Sequence, residues 1–376
     1  VGKYDLVVVG AGLWGSTYTY YMKQLGKKIL VIDKANHIAG NCYTYNDGGI
    51  NVHVAGPHIF HTSNERVWNF MNKFAKFNHF VNRPKVMRNG KIYSFPINLL
   101  TLYQVWGVRT PEEARKKLDE VKADIPNPKN LEEWCLSQVG EEIYDLFVRH
   151  YTAKQWKTDP KNLPSFIIRR LPIRLTFDDN YFTDPYQGIP IGGYTRIFEQ
   201  MLDGVEVQLG VNFFEERTRL ENMLKSDGKL IYTGRLDALF DYDQGELPYR
   251  NLQFDHKRLE IPDFQGNAVV NYNDPDVAHT RVTEHKHFEF GTQDHTVVSY
   301  EYPIDYDRNH TPFYPINNEE NDACARAYSA RAESDGIIVG GRLAMYRYMD
   351  MHQIVPSAMH RFEKETGLKI DYMGRL

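Results

Sequence analysis

The chain has 376 residues, 42% of them hydrophobic and 25% charged, with a formal net charge of −4. That is ordinary globular composition, enough for two or three domains of about 150 residues, and it excludes a strongly basic nucleic-acid binder. Three widely spaced cysteines, Cys42, Cys135 and Cys324, form no CxxC; they exclude a disulfide framework or a zinc site and point to a reducing compartment. No apolar run approaches the ~18 residues that span a bilayer, and the first strand begins by Tyr4. Neither membrane insertion nor a signal peptide is expected, and a cytoplasmic location is.

The stretch YDLVVVGAGLWGSTYTYYMKQLG predicts a strand, a glycine turn and a helix. Gly10, Gly12 and Gly15 stand at GxGxxG spacing, for a tight turn, a close approach to a pyrophosphate, and helix–strand packing. The helix N-terminus then offers free N–H groups to phosphates. A second strand, KKILVID, ends at Asp33, where a carboxylate is expected to accept from a ribose 2′-hydroxyl. This unit is expected to bind a dinucleotide but does not by itself choose between NAD and FAD. The next segment, KANHIAGNCYTYNDGGINVHVAGPHIFHT, is rich in loops where a plain dehydrogenase would continue alternating helices and strands. Its His58 and His61 have an i, i+3 spacing that can ligate a metal, but no third ligand is near in sequence, so no metal is expected.

Thr62 and Glu65 predict a capping box before a helix running through Phe77. Thr110, Pro111 and Glu113 predict the start of another. NLEEWCLSQVG reads as a helix stopped by Gly140, and GEEIYDLFVRHYTAKQWK as one more, with Phe147 and Tyr151 one turn apart. Residues 82–160 are thus expected to be all helix and loop. The Pro- and Gly-rich NLPSFIIRRLPIRLTFDDNYFTDPYQGIP has little periodicity and carries paired arginines, so it reads as a functional loop. NLQFDHKRLEI, GNAVVNY, TRVTEHKHFEF and HTVVSYEY alternate like half-exposed antiparallel strands. A helix over 320–332 leads into IIVGGRLAMYRYMDM, a short buried strand followed by a second glycine turn. In a GxGxxG flavoprotein such a final strand returns to the first sheet, so the two glycine turns are expected to be two walls of one FAD site.

Taken in order, GAGLWGS, the acid-ending IDK, GPHIFHT, YTAKQW, RLPIR…DDNYF, YTGRLDALFDY…LPYRNL, TRVTEHKHF and GGRLAMYRYMDM make the whole chain resemble the bacterial UDP-galactopyranose mutases. The resemblance implies a Rossmann-like FAD-binding domain with an inserted helical domain and an antiparallel β-sheet domain. The expected divisions are 1–81 (FAD domain, first part), 82–175 (helical domain, with a mobile lid near 163–174), 176–320 (mostly antiparallel sheet, returning to the FAD domain near 193–235) and 321–376 (FAD domain, last part). It implies an isomerase that interconverts UDP-galactopyranose and UDP-galactofuranose with FAD in its reduced state. N5 of that flavin would form a covalent adduct with the sugar, with no net redox change. Cofactor contacts are then expected at Gly10, Gly12, Gly15, Asp33, Lys34, Gly40, Asn41, Gly341, Arg342, Asp350 and Met351, with His61 against the flavin. Phe147, Tyr151, Thr152 and Trp156 match the uridine-binding helix. Arg170 and Arg281 match the diphosphate arginines, and Tyr181, Tyr314 and Tyr348 their hydroxyl partners. His58, Trp68, Asn82 and Asn271 are lesser members of the pocket. A homodimer is expected, without nucleic-acid partners. The competing readings are a flavin-dependent oxidoreductase of the amine oxidase type, a mutase for the N-acetyl sugar nucleotide, and a non-catalytic nucleotide-binding protein. The paired arginines and the aromatic helix weigh against an apolar amine site.

Overall fold

The computed structural model describes residues 2–169 and 172–376. Tyr4–Val9 and Ile29–Asp33, rich in valine and isoleucine, pair in parallel and are almost wholly buried. They lie inside a five-stranded parallel sheet, in the order Ile338–Val339, Leu224–Tyr232, Tyr4–Val9, Ile29–Asp33, Glu206–Leu209. A parallel sheet needs cover on both faces. Helices Leu13–Gln24 and Met351–Thr366 cover one face through Trp14, Tyr18, Tyr21 and Phe362. Phe213, Leu220, Tyr328 and Ala332, from helices Phe213–Asn222 and Glu319–Ser334, cover the other. Tyr4–Val9 and Ile338–Val339 both run parallel to Leu224–Tyr232, so the glycine turns that follow them open at the same end of the sheet.

A seven-stranded sheet runs in the order Pro312–Pro315, Tyr249–Leu259, Thr296–Ile304, Arg281–Glu284, Val269–Tyr272, Lys85–Arg88, Lys91–Ser94. Its neighbours are antiparallel except Val269–Tyr272 with Lys85–Arg88. A separate apolar core, with Leu102, Ala114, Leu131, Ile143 and Phe147, joins the helices Leu99–Trp106, Pro111–Val121 and Leu131–Tyr144. Among the described residues no helix is long and apolar enough to cross a membrane.

Several sequence expectations are corrected. Residues 82–160 are not all helix and loop, because Lys85–Arg88 and Lys91–Ser94 form a hairpin. Its turn is Asn89–Gly90, both at positive φ (53° and 69°), the backbone that an Asn-Gly pair between alternating residues favours. The helix expected to begin with a Thr62–Glu65 box is capped instead by Asn64, whose side chain accepts from Val67 N at 3.3 Å, and it ends at Met71. Gly140 kinks its helix at φ 75° rather than stopping it; a Cβ there would stand 2.5 Å from the Val121 carbonyl oxygen. The strand expected across TRVTEHKHFEF stops at Glu284 and turns into a 3₁₀ helix, His285–Glu289. Within the segment read as a mobile lid, Leu163 and Ile168 sit in the helical core.

Candidate active site

The first wall of the site is made of backbone. Gly10 takes φ 109°, which favours glycine, and a Cβ on Gly15 would fall 2.2 Å from the Gly10 carbonyl oxygen. A Cβ on Gly12 would meet nothing within 4 Å, so open space lies at the N-terminus of helix Leu13–Gln24. Gly40 flanks that space; its Cβ would stand 3.3 Å from Gly12 Cα. The Asp33 carboxylate accepts from Ala11 N (2.8 Å) and Ala35 N (2.9 Å), which ties the two strand ends together. It keeps acceptor capacity for a ribose. Lys34 is exposed and Asn41 half-buried. An open cradle with free helix N–H groups and a fixed carboxylate fits the pyrophosphate and ribose of a dinucleotide.

The double glycine at the other end has two separate causes. A Cβ on Gly340 would lie 2.2 Å from the Trp14 indole, and Gly341 takes φ 83°. The Arg342 guanidinium donates to Met349 O (2.6 Å from Nη2) and Phe313 O (3.0 Å from Nη1), so it shapes the turn that leads to Asp350 and Met351. Met351 Sδ lies 3.8 Å from Cys42 Sγ, which brings the last helix beside the Gly40–Cys42 turn.

His61 stands between the walls. Its strand, Phe60–Thr62, pairs with Tyr186–Gly188 and faces His61 toward the segment that holds Phe182 and Asp184. The imidazole stacks on Phe182 with centroids 3.6 Å apart, and Nδ1 lies 2.6 Å from Asp184 Oδ2. With the carboxylate as acceptor, Nδ1 carries the proton and Nε2 is left as the acceptor. Burial pushes the His61 pKa down, while Asp184 acts the other way. Folding also supplies what the linear sequence lacked, because ligand-capable atoms of His61, Asp350 and His352 lie within 4.8 Å of one another. His58 is not of that group. Its Nδ1 bonds Gly56 O at 2.8 Å, and burial pushes its pKa down to about 4.

The second wall is made of side chains. Arg281, on strand Arg281–Glu284, donates from Nη2 to Tyr151 Oη (2.9 Å) and from Nε to Asn271 Oδ1 (3.2 Å). Its Nη1 lies 3.4 Å from the buried Glu301 carboxylate. Burial opposes the Arg281 charge, but Glu301 and the nearby tyrosines Tyr151, Tyr181 and Tyr314 hold its pKa above the ordinary value. Burial pushes the Tyr151 phenol up to about 12. Gln155 Nε2 donates to Tyr314 Oη. Tyr314 lies 6.2 Å from Trp156 and 5.8 Å from Tyr348, and Tyr348 packs against Arg342 at 5.4 Å. An unbroken row of side chains therefore runs from helix His150–Trp156 to the second glycine turn.

The remaining expected residues are placed as follows. Thr152 is buried, and Phe147 packs edge-on against Tyr93 in the helical core, on a π-turn over Asp145–Arg149. Trp68 stacks between Phe60 and Tyr186. Asn82 O accepts from Tyr181 N, while Asn82 Oδ1 is buried without a hydrogen-bond partner. Arg170 lies outside the described residues. Nearby Arg174 donates from Nη1 to Asn180 O (2.5 Å) and pairs through Nε with Asp178, while its Nη2 is buried without a hydrogen-bond partner.

Sequence reasoning missed other members of the second wall. Arg250 lies over Trp156 at 5.8 Å with Nε buried and unpartnered, and burial lowers its pKa. It sat within LPYRNL without a signal to set it apart. Glu301 and Asp184 were equally unmarked, since only the fold brings them to Arg281 and His61.

The sequence profile of the family described as "UDP-galactopyranose mutase" matches residues 146–348, and that of an NAD(P)-binding Rossmann-like domain matches residues 8–74. The "Probable UDP-galactopyranose mutase" of Klebsiella pneumoniae is 39% identical over 362 residues, covering 94% of this chain and 93% of its relative. The chain belongs to the UDP-galactopyranose mutase family. It is an isomerase by that membership. The chain is equally similar to an enzyme of another name. The "dTDP-fucopyranose mutase" of Escherichia coli is 39% identical over 363 residues, 94% of this chain and 96% of that protein. The fold agrees with the crystal structure of a reduced UDP-galactopyranose mutase at a TM-score of 0.76, with 14% identity, over 100% of this chain and 96% of the other. The family profile spans the second wall from Tyr151 to Tyr348, and the Rossmann profile spans the first glycine turn.

Proposed function

We propose that the protein binds FAD and, with that flavin reduced, interconverts UDP-galactopyranose and UDP-galactofuranose without net redox change. The observation that carries this reading is Arg281. It is a guanidinium bonded to the Tyr151 hydroxyl with Tyr181 and Tyr314 nearby, beside a row of side chains that ends at the glycine turn of the cofactor site. A diphosphate asks for that combination: a cation with several N–H donors, flanked by hydroxyls, away from bulk water. Arg170 serves as the second diphosphate cation by its place in the motif; Arg174 bonds its own loop through Nη1 and Nε.

The aromatic helix supplies the base platform, where stacking contributes roughly 1–3 kcal/mol per base. Gln155 Oε1 and Asn82 Oδ1, both buried and unpartnered, are acceptors that a ligand's N–H or O–H groups can satisfy. Asp33 takes ribose hydroxyls, and the glycine turn takes the pyrophosphate. His61, with Nδ1–H fixed on Asp184, presents Nε2 as a proton acceptor beside Asp350 and His352. When bound and reduced, the flavin would supply nucleophilic chemistry toward the anomeric carbon. The protein's own task is to neutralise the departing diphosphate, exclude water, and keep the sugar over the cofactor until the ring recloses.

A second reading concerns the substrate alone. The relative named a dTDP-fucopyranose mutase is as similar as the UDP-galactopyranose one, so a dTDP-linked 6-deoxy sugar competes for the same site. Dithionite-reduced protein is to be given UDP-galactofuranose, UDP-N-acetylgalactofuranosamine and dTDP-fucofuranose, with pyranose product followed by chromatography. The UDP-galactose pair is expected to be converted with the highest kcat/KM. Faster turnover of the dTDP sugar would reassign the substrate, and turnover of none would end the mutase reading.

A further inference from the structure

Lys154 lies one turn beyond Tyr151, on the helix His150–Trp156, and is used by nothing described so far. Its ammonium Nζ lies 2.7 Å from Tyr272 O, 3.0 Å from Asp274 O, 2.9 Å from Val277 O and 3.2 Å from His279 O. An ammonium has three N–H groups and no acceptor, so four carbonyls saturate it with one bond shared. The first closes strand Val269–Tyr272, and the other three belong to the connection from it to Arg281–Glu284. Backbone carbonyls converging on one point repel each other unless a cation sits there. The curl of that connection is therefore specified by the ammonium.

The two residues that leave the curl are Asn271 and Arg281, which face each other across the strand pair. Their side chains are bonded to each other, and Arg281 is bonded to Tyr151. One helix thus holds the arginine twice, through Tyr151 at its guanidinium and through Lys154 at its backbone. We propose that Lys154 is a positioning residue, whose ammonium fills a cage of backbone carbonyls and so sets Arg281 at the depth a nucleoside diphosphate needs. This rests on the reading that Arg281 meets the diphosphate. It adds a residue that touches no substrate and still governs affinity. Burial and the nearby charge of Arg88 push the Lys154 pKa down, to about 8, while the charge of Asp274 acts the other way and the four carbonyl dipoles face the ammonium.

The test is UDP titration by calorimetry on wild type, Lys154→Met and Lys154→Ala, together with kcat, KM and flavin content. Lys154→Met keeps most of the stem and removes the charge. It is expected to weaken UDP binding roughly tenfold or more, the size of one charge-assisted contact, with KM rising more than kcat falls. Flavin content is expected to stay at the wild-type level. Lys154→Ala leaves a cage that a small cation can enter. Ammonium chloride is expected to restore its UDP affinity, and choline chloride of equal ionic strength is not. Wild-type affinity in Lys154→Met, or equal affinity of Lys154→Ala in both salts, overturns the clamp while leaving the mutase reading intact. If Lys154→Met loses its flavin, the salt comparison on Lys154→Ala decides alone. Failure of the wild-type protein to bind UDP overturns both readings.

Discussion

The wall around Gly10–Gly15 and Gly340–Gly341 offers ligands its backbone, while the wall around Arg281 offers them side chains, and the two respond differently to substitution. In the first, specificity of shape comes from absent side chains: a methyl on Gly15 or Gly340 would overlap a carbonyl oxygen or an indole. In the second, each group depends on its neighbours' charges and hydroxyls, from Glu301 through Arg281 to Tyr151. Backbone cradles suit a cofactor that stays. Side-chain constellations suit a substrate that must be chosen and released. A substitution in one wall is therefore expected to spare the ligand of the other.

The largest effect is expected at Arg281. On the proposed reading its removal would take one cation from the diphosphate, and it leaves Glu301, 4% exposed, without its ion-pair partner. Truncating a buried charge pair costs about 2–5 kcal/mol, roughly thirty- to several-thousand-fold in kcat/KM. Steady-state kinetics on Arg281→Ala are expected to show that loss with flavin content unchanged; loss of flavin would show that the walls are not separable.

Acid is expected to reach the second wall through Glu284, at the other end of the same strand. Burial opposes its charge, but His287, Thr296 Oγ1 and the amides of Phe264 and Gln265 hold its pKa down, to about 2 from 4.5. A depressed carboxylate contributes stability that is present above the unfolded value and lost as pH falls through the folded one. At ~1.36 kcal/mol per unit, this is of order 3 kcal/mol, lost between about pH 4.5 and pH 2. Denaturant melts against pH are expected to lose that slope in Glu284→Gln, and an unchanged acid limb would remove Glu284 from the account.

The first wall gives a smaller and opposite signature. Gly340→Ala would press a Cβ onto Trp14, which is stacked on Tyr18 and bonded to Ser357, so overpacking is expected to cost about 1–3 kcal/mol. Flavin retention and melting temperature are expected to fall, with UDP affinity little changed. Smaller still, Asp184→Ala removes the bond that fixes the His61 tautomer. It is expected to lower kcat about tenfold with KM nearly constant, and to move the His61 titration further down, as seen by NMR. A KM effect alone would make Asp184 a substrate-binding group instead.

The contrast between walls also explains what could be read in the sequence. The first wall is local: GAGLWGS and IDK carry their strand, turn and acid within one stretch, and IIVGG repeats the signal at the far end. The Asn89–Gly90 hairpin was equally local and was overlooked because helices flank it. The second wall is assembled from strands and a helix more than a hundred residues apart, so Arg281 and Tyr151 were visible only through family motifs. Glu301, Arg250, Asp184 and Lys154 carry no local pattern at all. Their roles come from partners that only the tertiary fold supplies: a buried cation, an indole, an imidazole and a ring of carbonyls.

The most direct test is anaerobic turnover of UDP-galactofuranose with the flavin spectrum recorded before and after. Protein reduced by dithionite is expected to make UDP-galactopyranose over many turnovers while the flavin stays reduced, and the oxidised protein is expected to be inactive. Equal turnover by the fully oxidised protein, or stoichiometric oxidation of the flavin with each sugar converted, would contradict a redox-neutral mutase that depends on reduced flavin.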